Sequence, residues 1–475
     1  MNRNIQALAA GIALLAITTA SQEALGQKQG GILRLYHFDS PASMSILEEA
    51  GAVTVIPMMA VFNNLVLYDQ HVPQNSLGSI VPDLATEWSW DQARTGLTFK
   101  LRRGVKWHDG KPFTAADVKC TWDLQMGIGS DKLRLNPRKS WYRNLEEVTT
   151  RDDYEVTFRL KRPQPAFIAL LASGVSPLYP CHVRAREMRQ HPIGTGPFKF
   201  VEFKQNERIT LTRYIDYWKK DRPYLNGIEY TIIRNVSTAN LAFTAGDLDM
   251  THPVFMQIPV LRDVQKENPD AICRIVPSNV SRNLIINRTV PPFDNPDLRR
   301  AMALALDRKA FVDILTEGKG DIGGAMLPLP EGLWGMPQDV LKTLPGYDPD
   351  VRKNRDDARQ IMEKLGYGPD NRLKLKVSAR NIPITRDPAV ILIDQLKGIY
   401  IDGELELIES ANWFPKVIRK DYSVGLNLTG KSVDDPDQHF YENYLCGAEA
   451  NYDGYCNREI DKLIDQQSIG KSKGN

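Results

Sequence analysis

The sequence contains no CxxC pair and no HExxH run, so the ligand spacings that hold structural or catalytic zinc are missing. The one G-x-S-x-G string, GKSKG (470–474), follows a helical rather than a strand pattern, so it does not read as a nucleophile elbow. Its seven histidines (His37, His71, His108, His182, His191, His252 and His439) fall in no metal-ligand pattern. Charge of one sign is also missing. The 60 Lys and Arg residues against 58 Asp and Glu leave a formal net charge of +2, which gives no reason to propose nucleic acid as a partner. There is no internal repeat or low-complexity tract, and beyond the N-terminus no apolar run is long enough to cross a bilayer. These absences argue against a zinc enzyme, a serine hydrolase of the elbow type, a nucleic-acid binder and a membrane-spanning chain.

What is present begins at the first residues. Arg3 precedes a charge-free apolar run from Ile5 to Ile17, and the polar stretch TTASQEALGQ follows. That order is the layout of a secretory signal peptide over residues 1–26, with cleavage expected after Ala24-x-Gly26 in preference to Thr18-x-Ala20. The run is too short to span a membrane, and no cysteine near it could carry a lipid anchor. The expected mature chain is therefore exported, soluble and not a lipoprotein. With 42% hydrophobic and 25% charged residues it has the composition of an ordinary globular protein, long enough for at least two domains.

Export bears on the five cysteines, because pairs can oxidise outside the cytoplasm. Cys446 and Cys456 flank GAEANYDGY, a Gly- and Asn-containing loop that a disulfide could close. Cys120 with Cys181 is the second candidate pair, which leaves Cys273 as a small buried hydrophobe.

Local patterns mix strands and helices. GILRLY (31–36), LTFKL (97–101) and YEVTFRL (154–160) alternate as half-buried strands do. Thr114 and Asp117 form a capping box that opens an amphipathic helix behind Pro112. Asn295-Pro-Asp297 opens another, read through LRRAMALALDRKAFVDIL, and a third is expected over Ala389 to Ile399, followed by a strand at 404–408. Residues 318–350, rich in Gly and Pro, read as an ordered surface loop. The class is α/β without regular βαβ alternation.

Several blocks then occur in order: VPDLATEW (81–88), LRRGVKWHDG (101–110) followed by PFTAADV (112–118), GTGPF (194–198), Tyr217-Trp218, PYL (223–225), AGDLD (245–249) and FDNPDLRRAMA (293–303) closing with Asp307-Arg308. This ordered set resembles the family 5 extracellular solute-binding proteins, the oligopeptide, dipeptide and nickel periplasmic binding proteins of ABC importers. The resemblance implies a two-lobed periplasmic-binding-protein fold of type II, in the large cluster with an extra subdomain. Lobe 1 is expected at 27–282 with the extra subdomain at about 71–190, a hinge near 278–288, and lobe 2 at 283–475. It also implies a monomer that captures a peptide or other small solute and delivers it to permease subunits in the inner membrane. No catalytic residue, cofactor or metal is expected. Gly194 and Gly196 read as a tight turn, and Trp88, Trp90, Trp107 and Trp218 as packing residues.

By the same resemblance, Arg380 stands where dipeptide binders hold the ligand carboxylate, and Trp413 where a Trp packs beside the ligand. The third position departs from the pattern. Directly after Thr429-Gly430, where the resemblance implies an Asp for the ligand's ammonium, this chain has Lys431. Asp434 and Asp435 follow, displaced by an apparent one-residue insertion. Either Asp434 or Asp435 takes over and the ligand is a peptide, or Lys431 lines the cleft and the ligand is anionic or lacks a free amine.

Two rivals have some support in the residues. The acidic stretch 434–437 imitates an acid/base pair of a secreted hydrolase, and His439 stands in the region where a nickel- or haem-carrying relative could use it. Finally, the chain ends in IGKSKGN (469–475), where the family pattern continues further. The expectation is a second lobe without its final elements, with apolar surface uncovered, one strand neighbour unpaired and lowered stability.

Overall fold

Alternation along LTFKL and YEVTFRL is the simplest route into the structure, a computed structural model that describes residues 28–252, 256, 258–276, 280–327, 334–430 and 432–470. Leu97, Phe99 and Leu101 are buried, as are Val156, Phe158 and Leu160, and the two segments pair antiparallel with Leu97 opposite Phe158 and Phe99 opposite Val156. The inward face of this pair carries the hydrophobic set and the outward face carries Lys100 and Arg159. The expected signal peptide and its cleavage site lie outside the described residues.

In chain order the strands are β1 (Ile32–His37), β2 (Val66–Tyr68), β3 (Ile80–Pro82), β4 (Ala85–Trp90), β5 (Gly96–Leu101), β6 (Leu145–Asp152), β7 (Glu155–Leu160), β8 (Phe198–Lys204), β9 (Arg208–Arg213), β10 (Gly227–Ile232), β11 (Val280–Ile286), β12 (Leu373–Arg380), β13 (Ile401–Ile408) and β14 (Val424–Gly430). They form one sheet in the order β1-β10-β9-β8, a second in the order β11-β14-β12-β13, a third in the order β4-β5-β7-β6, and the small ribbon β2-β3. In the second sheet β12 runs parallel to β13 and β14, so the connections cross over as helices Pro383–Lys397 and Ser410–Ile418. β11 closes this sheet antiparallel to β14, so the second sheet begins by Val280, inside the segment expected to be the hinge.

The capping box forms as the sequence predicts. Asp117 Oδ2 accepts the Thr114 amide at 2.9 Å and opens helix Ala115–Met126, and it also takes the Trp107 indole N–H at 3.2 Å. Trp107, Phe113, Trp122 and Phe158 fill the core of the third sheet, against which Trp88, Trp90 and Trp218 pack. Gly194 and Gly196 are required by a close approach rather than by a left-handed turn. A Cβ on either would lie 1.9 Å from the Val61 carbonyl oxygen or 2.5 Å from its carbon. Gly196 N–H donates to that same carbonyl at 2.9 Å, so the contact fixes the segment after helix Ala52–Met59 against the start of β8.

The helix read through residues 298–315 is two helices. Pro296–Leu304 ends and Arg308–Thr316 begins because Asp307 caps the second, accepting from the Ala310 amide at 3.0 Å. Its own amide and carbonyl are held by the Gln395 side chain. Disulfides join Cys120 to Cys181 and Cys446 to Cys456. Cys273 is unpaired and half-buried, so it is not the fully buried hydrophobe expected. Within 318–350 the described residues hold one short helix, Gln338–Leu341. No helix of the described residues is long and apolar enough to cross a membrane.

The sheets meet along two lines. Tyr36, Phe38 and Val53 beside the first sheet pack with Ile382, Ile384 and Leu428 from the second. Beyond that apolar line, Arg234 bridges Asp39 at 3.2 Å and Glu409 across the gap at 3.0 Å. The other line joins the third-sheet unit to helices Pro436–Asn443 and Arg458–Ile469. There Gln164 donates to Asp437 at 2.8 Å, Arg162 pairs with Asp465 at 2.6 Å, and Ser173 meets Ser432 at 3.0 Å.

Candidate functional site

The cleft between the lobes is best entered at Arg380, the last residue of β12. Strand pairing on both sides carries its backbone to the sheet edge, and its side chain is only 5% exposed. Among the described residues the guanidinium donates no hydrogen bond and makes no ion pair; its Nε is a buried donor with no acceptor. Burial pulls Arg380 down to about 10, and Tyr452 and Asp39 work against that loss. A cation taken out of water without a counter-ion in contact is costly, which makes Arg380 a functional-site candidate.

Trp413 does not stand beside it. That ring is fully buried among Ile285, Val417, Tyr422 and Tyr452, and its indole N–H donates to Asn427 at 3.2 Å. Successive positions on helix Ser410–Ile418 are turned by about 100°, so Trp413 points into the lobe and Phe414 points to the cleft. Phe414 lies 5.8 Å from the Arg380 guanidinium and in reach of Gly51 from the other lobe. Trp413 thus packs inside its own lobe, and Phe414 is the ring of this helix that lies beside Arg380.

The acidic residues divide the same way. Asp435 is 7% exposed and caps helix Pro436–Asn443, its Oδ1 accepting from the Asp437 amide at 2.9 Å. Asp434 is half-buried, and the Trp334 indole donates to its carbonyl at 3.3 Å. Both carboxylates act on Tyr68, in the third-sheet unit, and neither interacts with Arg380. Lys431 lies outside the described residues. His439 is buried and tilted against Tyr444 at 5.7 Å. Among the described residues no group of three or more His, Cys, Asp or Glu converges as metal ligands.

Residues that sequence reasoning passed over complete the wall. Tyr452 sits on the loop closed by Cys446–Cys456, within electrostatic reach of Arg380, Glu442 and Arg138. The loop is pinned by Asn451, whose amide donates to Leu445 O at 2.8 Å and Tyr455 O at 2.6 Å, and by Lys420, which donates to Asn451 O and Tyr452 O. Next to Tyr452, Asp453 accepts from the Ile286 amide at 3.1 Å and ties the loop to β11.

Burial lifts Asp453 to about 6, against the pull of the Ile286 amide, Lys420, Arg288 and Arg299. The folded state thus holds a proton that the unfolded chain releases near pH 4. The corresponding stability is complete below that pH and lost as pH rises through about 6. Asp453→Asn is expected to flatten this slope. In urea melts the wild type should lose on the order of 2 kcal/mol relative to the variant between pH 4.5 and 7.5. Parallel slopes in the two proteins would show that burial does not dominate at this carboxyl.

Separate α/β sheets that meet near a buried arginine are the architecture of two-lobed binding proteins. The comparisons agree. Residues 79–451 match the family described as bacterial extracellular solute-binding proteins, family 5 Middle. Oligopeptide-binding protein AppA of Bacillus subtilis is 29% identical over 406 residues, which is 80% of this chain and 71% of AppA. The periplasmic binding protein DppA of Helicobacter pylori, solved with the peptide STSA, superposes with a TM-score of 0.81 at 21% identity over 93% of this chain and 87% of that one. The binding protein AgaA of A. tumefaciens R10, solved with agropinic acid, gives 0.77 at 24% identity over the same shares. The chain belongs to the family 5 solute-binding proteins.

Proposed function

We propose that this chain is the periplasmic substrate-binding component of an ABC importer, which captures a short peptide or peptide-like solute by its carboxylate and passes it unchanged to a membrane permease. The observation that carries the reading is Arg380, nine-tenths buried between the lobes with no acceptor for its guanidinium among the described residues. A carboxylate matches that fork with two parallel hydrogen bonds and returns the solvation lost on burial. Lobe closure around it removes the ligand from water and presents one closed monomer to the permease. The lobes divide close to Val280, where β11 enters the second sheet. AppA, an oligopeptide-binding protein, and DppA, solved with the peptide STSA, support the peptide class.

A second reading keeps the same role with a non-peptide anion. It is favoured by Lys431 in place of the expected Asp and by the likeness to AgaA with its acid ligand. A thermal-shift panel separates the two. Free di- and tripeptides are expected to raise the melting temperature by several degrees at ligand concentrations near 100 Kd, worth about 2.7 kcal/mol, and C-terminally amidated versions are not. Stabilisation by organic or sugar acids with no response to any free peptide would establish the second reading. Mass spectrometry of the released ligand checks that it leaves intact; cleaved peptide would make the protein a hydrolase.

A further inference from the structure

Ion pairs between the chain before β11 and the chain after it run in one direction. Arg162 pairs with Asp465 at 2.6 Å, and Arg143 approaches the same carboxylate at 3.5 Å. Arg234 pairs with Glu409 at 3.0 Å, and Arg262 pairs with Glu317. In each, the cation precedes β11 and the carboxylate follows it. Neutral donors keep the same order: the Trp141 indole N–H reaches Glu442 at 3.2 Å, and the Gln164 amide reaches Asp437 at 2.8 Å. The later chain thus presents carboxylates to a face of donors. Asp39, which acts on Arg380 from the earlier chain, is itself bridged by Arg234 at 3.2 Å.

The pairs sit on separate elements. Asp465 lies on helix Arg458–Ile469, Glu409 precedes helix Ser410–Ile418, and Glu317 closes helix Arg308–Thr316. Their partners come from the third-sheet unit, from the turn after β10 and from helix Ile258–Glu267. The paired side chains are between 22% and 61% exposed, so water and salt reach every pair. One such pair is weak alone and is screened over about 8 Å at physiological ionic strength. All of them, however, act on a single coordinate, the separation of the two parts about the segment that enters β11. Weak terms that bias one two-state motion multiply. The apolar contact of Tyr36 and Phe38 with Ile382 and Ile384 is not screened by salt, so ionic strength tells the two contributions apart.

We propose that these ion pairs form an electrostatic latch, which favours the closed protein before any ligand binds and whose hold is set by ionic strength. The inference goes beyond the reading of ligand class and requires only that the two parts separate near β11. Every ligand that needs closure then gains the same factor in affinity from the latch.

The test uses the full chain stripped of bound solute by unfolding and refolding with its disulfides intact. Small-angle X-ray scattering reports the open and closed fractions from about 0.01 M to about 1 M sodium chloride, over which the screening length falls from about 30 Å to about 3 Å. The variant Glu317→Gln/Glu409→Gln/Asp465→Asn keeps the acceptor oxygens and removes the charge. Wild type is expected to be mostly closed at the low-salt end. Its closed-to-open ratio should fall roughly tenfold at the high-salt end, the product of three weak pairs. The triple variant should be mostly open throughout, with a ratio that changes less than twofold. A wild type that is open at low salt, or that keeps one scattering profile across the range, would overturn the latch. Equal salt responses in wild type and variant would overturn it too. The wild-type titration carries the first two outcomes by itself, so the proposal stays open to refutation even where the variant fails to fold. Neither result touches the role of Arg380, which is read from affinity.

Discussion

Replacing Arg380 by glutamine is expected to weaken binding of a free-carboxylate ligand by roughly 30- to 5000-fold, the 2–5 kcal/mol cost of removing one partner from a buried hydrogen-bonded charge pair. The unliganded protein should not suffer. Its wild-type guanidinium sits 5% exposed with an unsatisfied Nε, so the variant removes a desolvated charge that Tyr452, Asp39 and the Phe414 ring compensate only in part. The melting temperature of the ligand-free variant is therefore expected to equal or exceed that of the wild type. Opposite signs for affinity and stability separate a binding residue from a structural one, whose loss would lower both. Arg380→Lys should fall between, because it keeps the charge and loses the planar fork. Calorimetric titration gives the first quantity and scanning fluorimetry the second. Wild-type affinity in the glutamine variant would remove Arg380 from the site.

Arg380 was named in the sequence only through the family resemblance, and the reasons that other features were not legible are physical. Local rules carried the capping box at Thr114 and Asp117, and period-two burial in β5 and β7, because each depends on neighbours a few residues away. The break at Asp307 escaped because the apolar spacing continues straight across it. What ends the first helix is a side-chain cap and a hold on Gln395, 88 residues away. Gly194 and Gly196 were legible as glycines, while their cause, the Val61 backbone, lies over 130 residues upstream. Trp413 and Phe414 are adjacent, and only the orientation of their helix decides which ring meets the cleft. The carboxylate of Glu442 carries no motif at all. Its surroundings appear only in the fold, where the Trp141 indole, some 300 residues upstream, donates to it.

The two disulfides should prove unequal in kind. Cys120–Cys181 closes 61 residues and Cys446–Cys456 closes 10, so on chain entropy alone their loss is expected to cost about 4 and about 3 kcal/mol respectively. The first clips helix Ala115–Met126 to the segment that follows the third-sheet core, away from Arg380 and Tyr452. The second closes the loop that presents Tyr452 to the cleft and Asp453 to β11. Without it Asn451 and Lys420 still hold the loop, so the loop should loosen rather than unfold. Serine replacement of Cys120 and Cys181 is thus expected to lower the melting temperature by about 5 °C. Ligand affinity in that variant should stay within threefold of wild type. Serine replacement of Cys446 and Cys456 should lower the melting temperature less and weaken ligand binding about tenfold, since ordering Tyr452 is then charged against each binding event. The decisive quantity is the ratio of affinity loss to melting loss. If that ratio is the same for both pairs, the short disulfide is a general staple and Tyr452 is held in place by the rest of its loop.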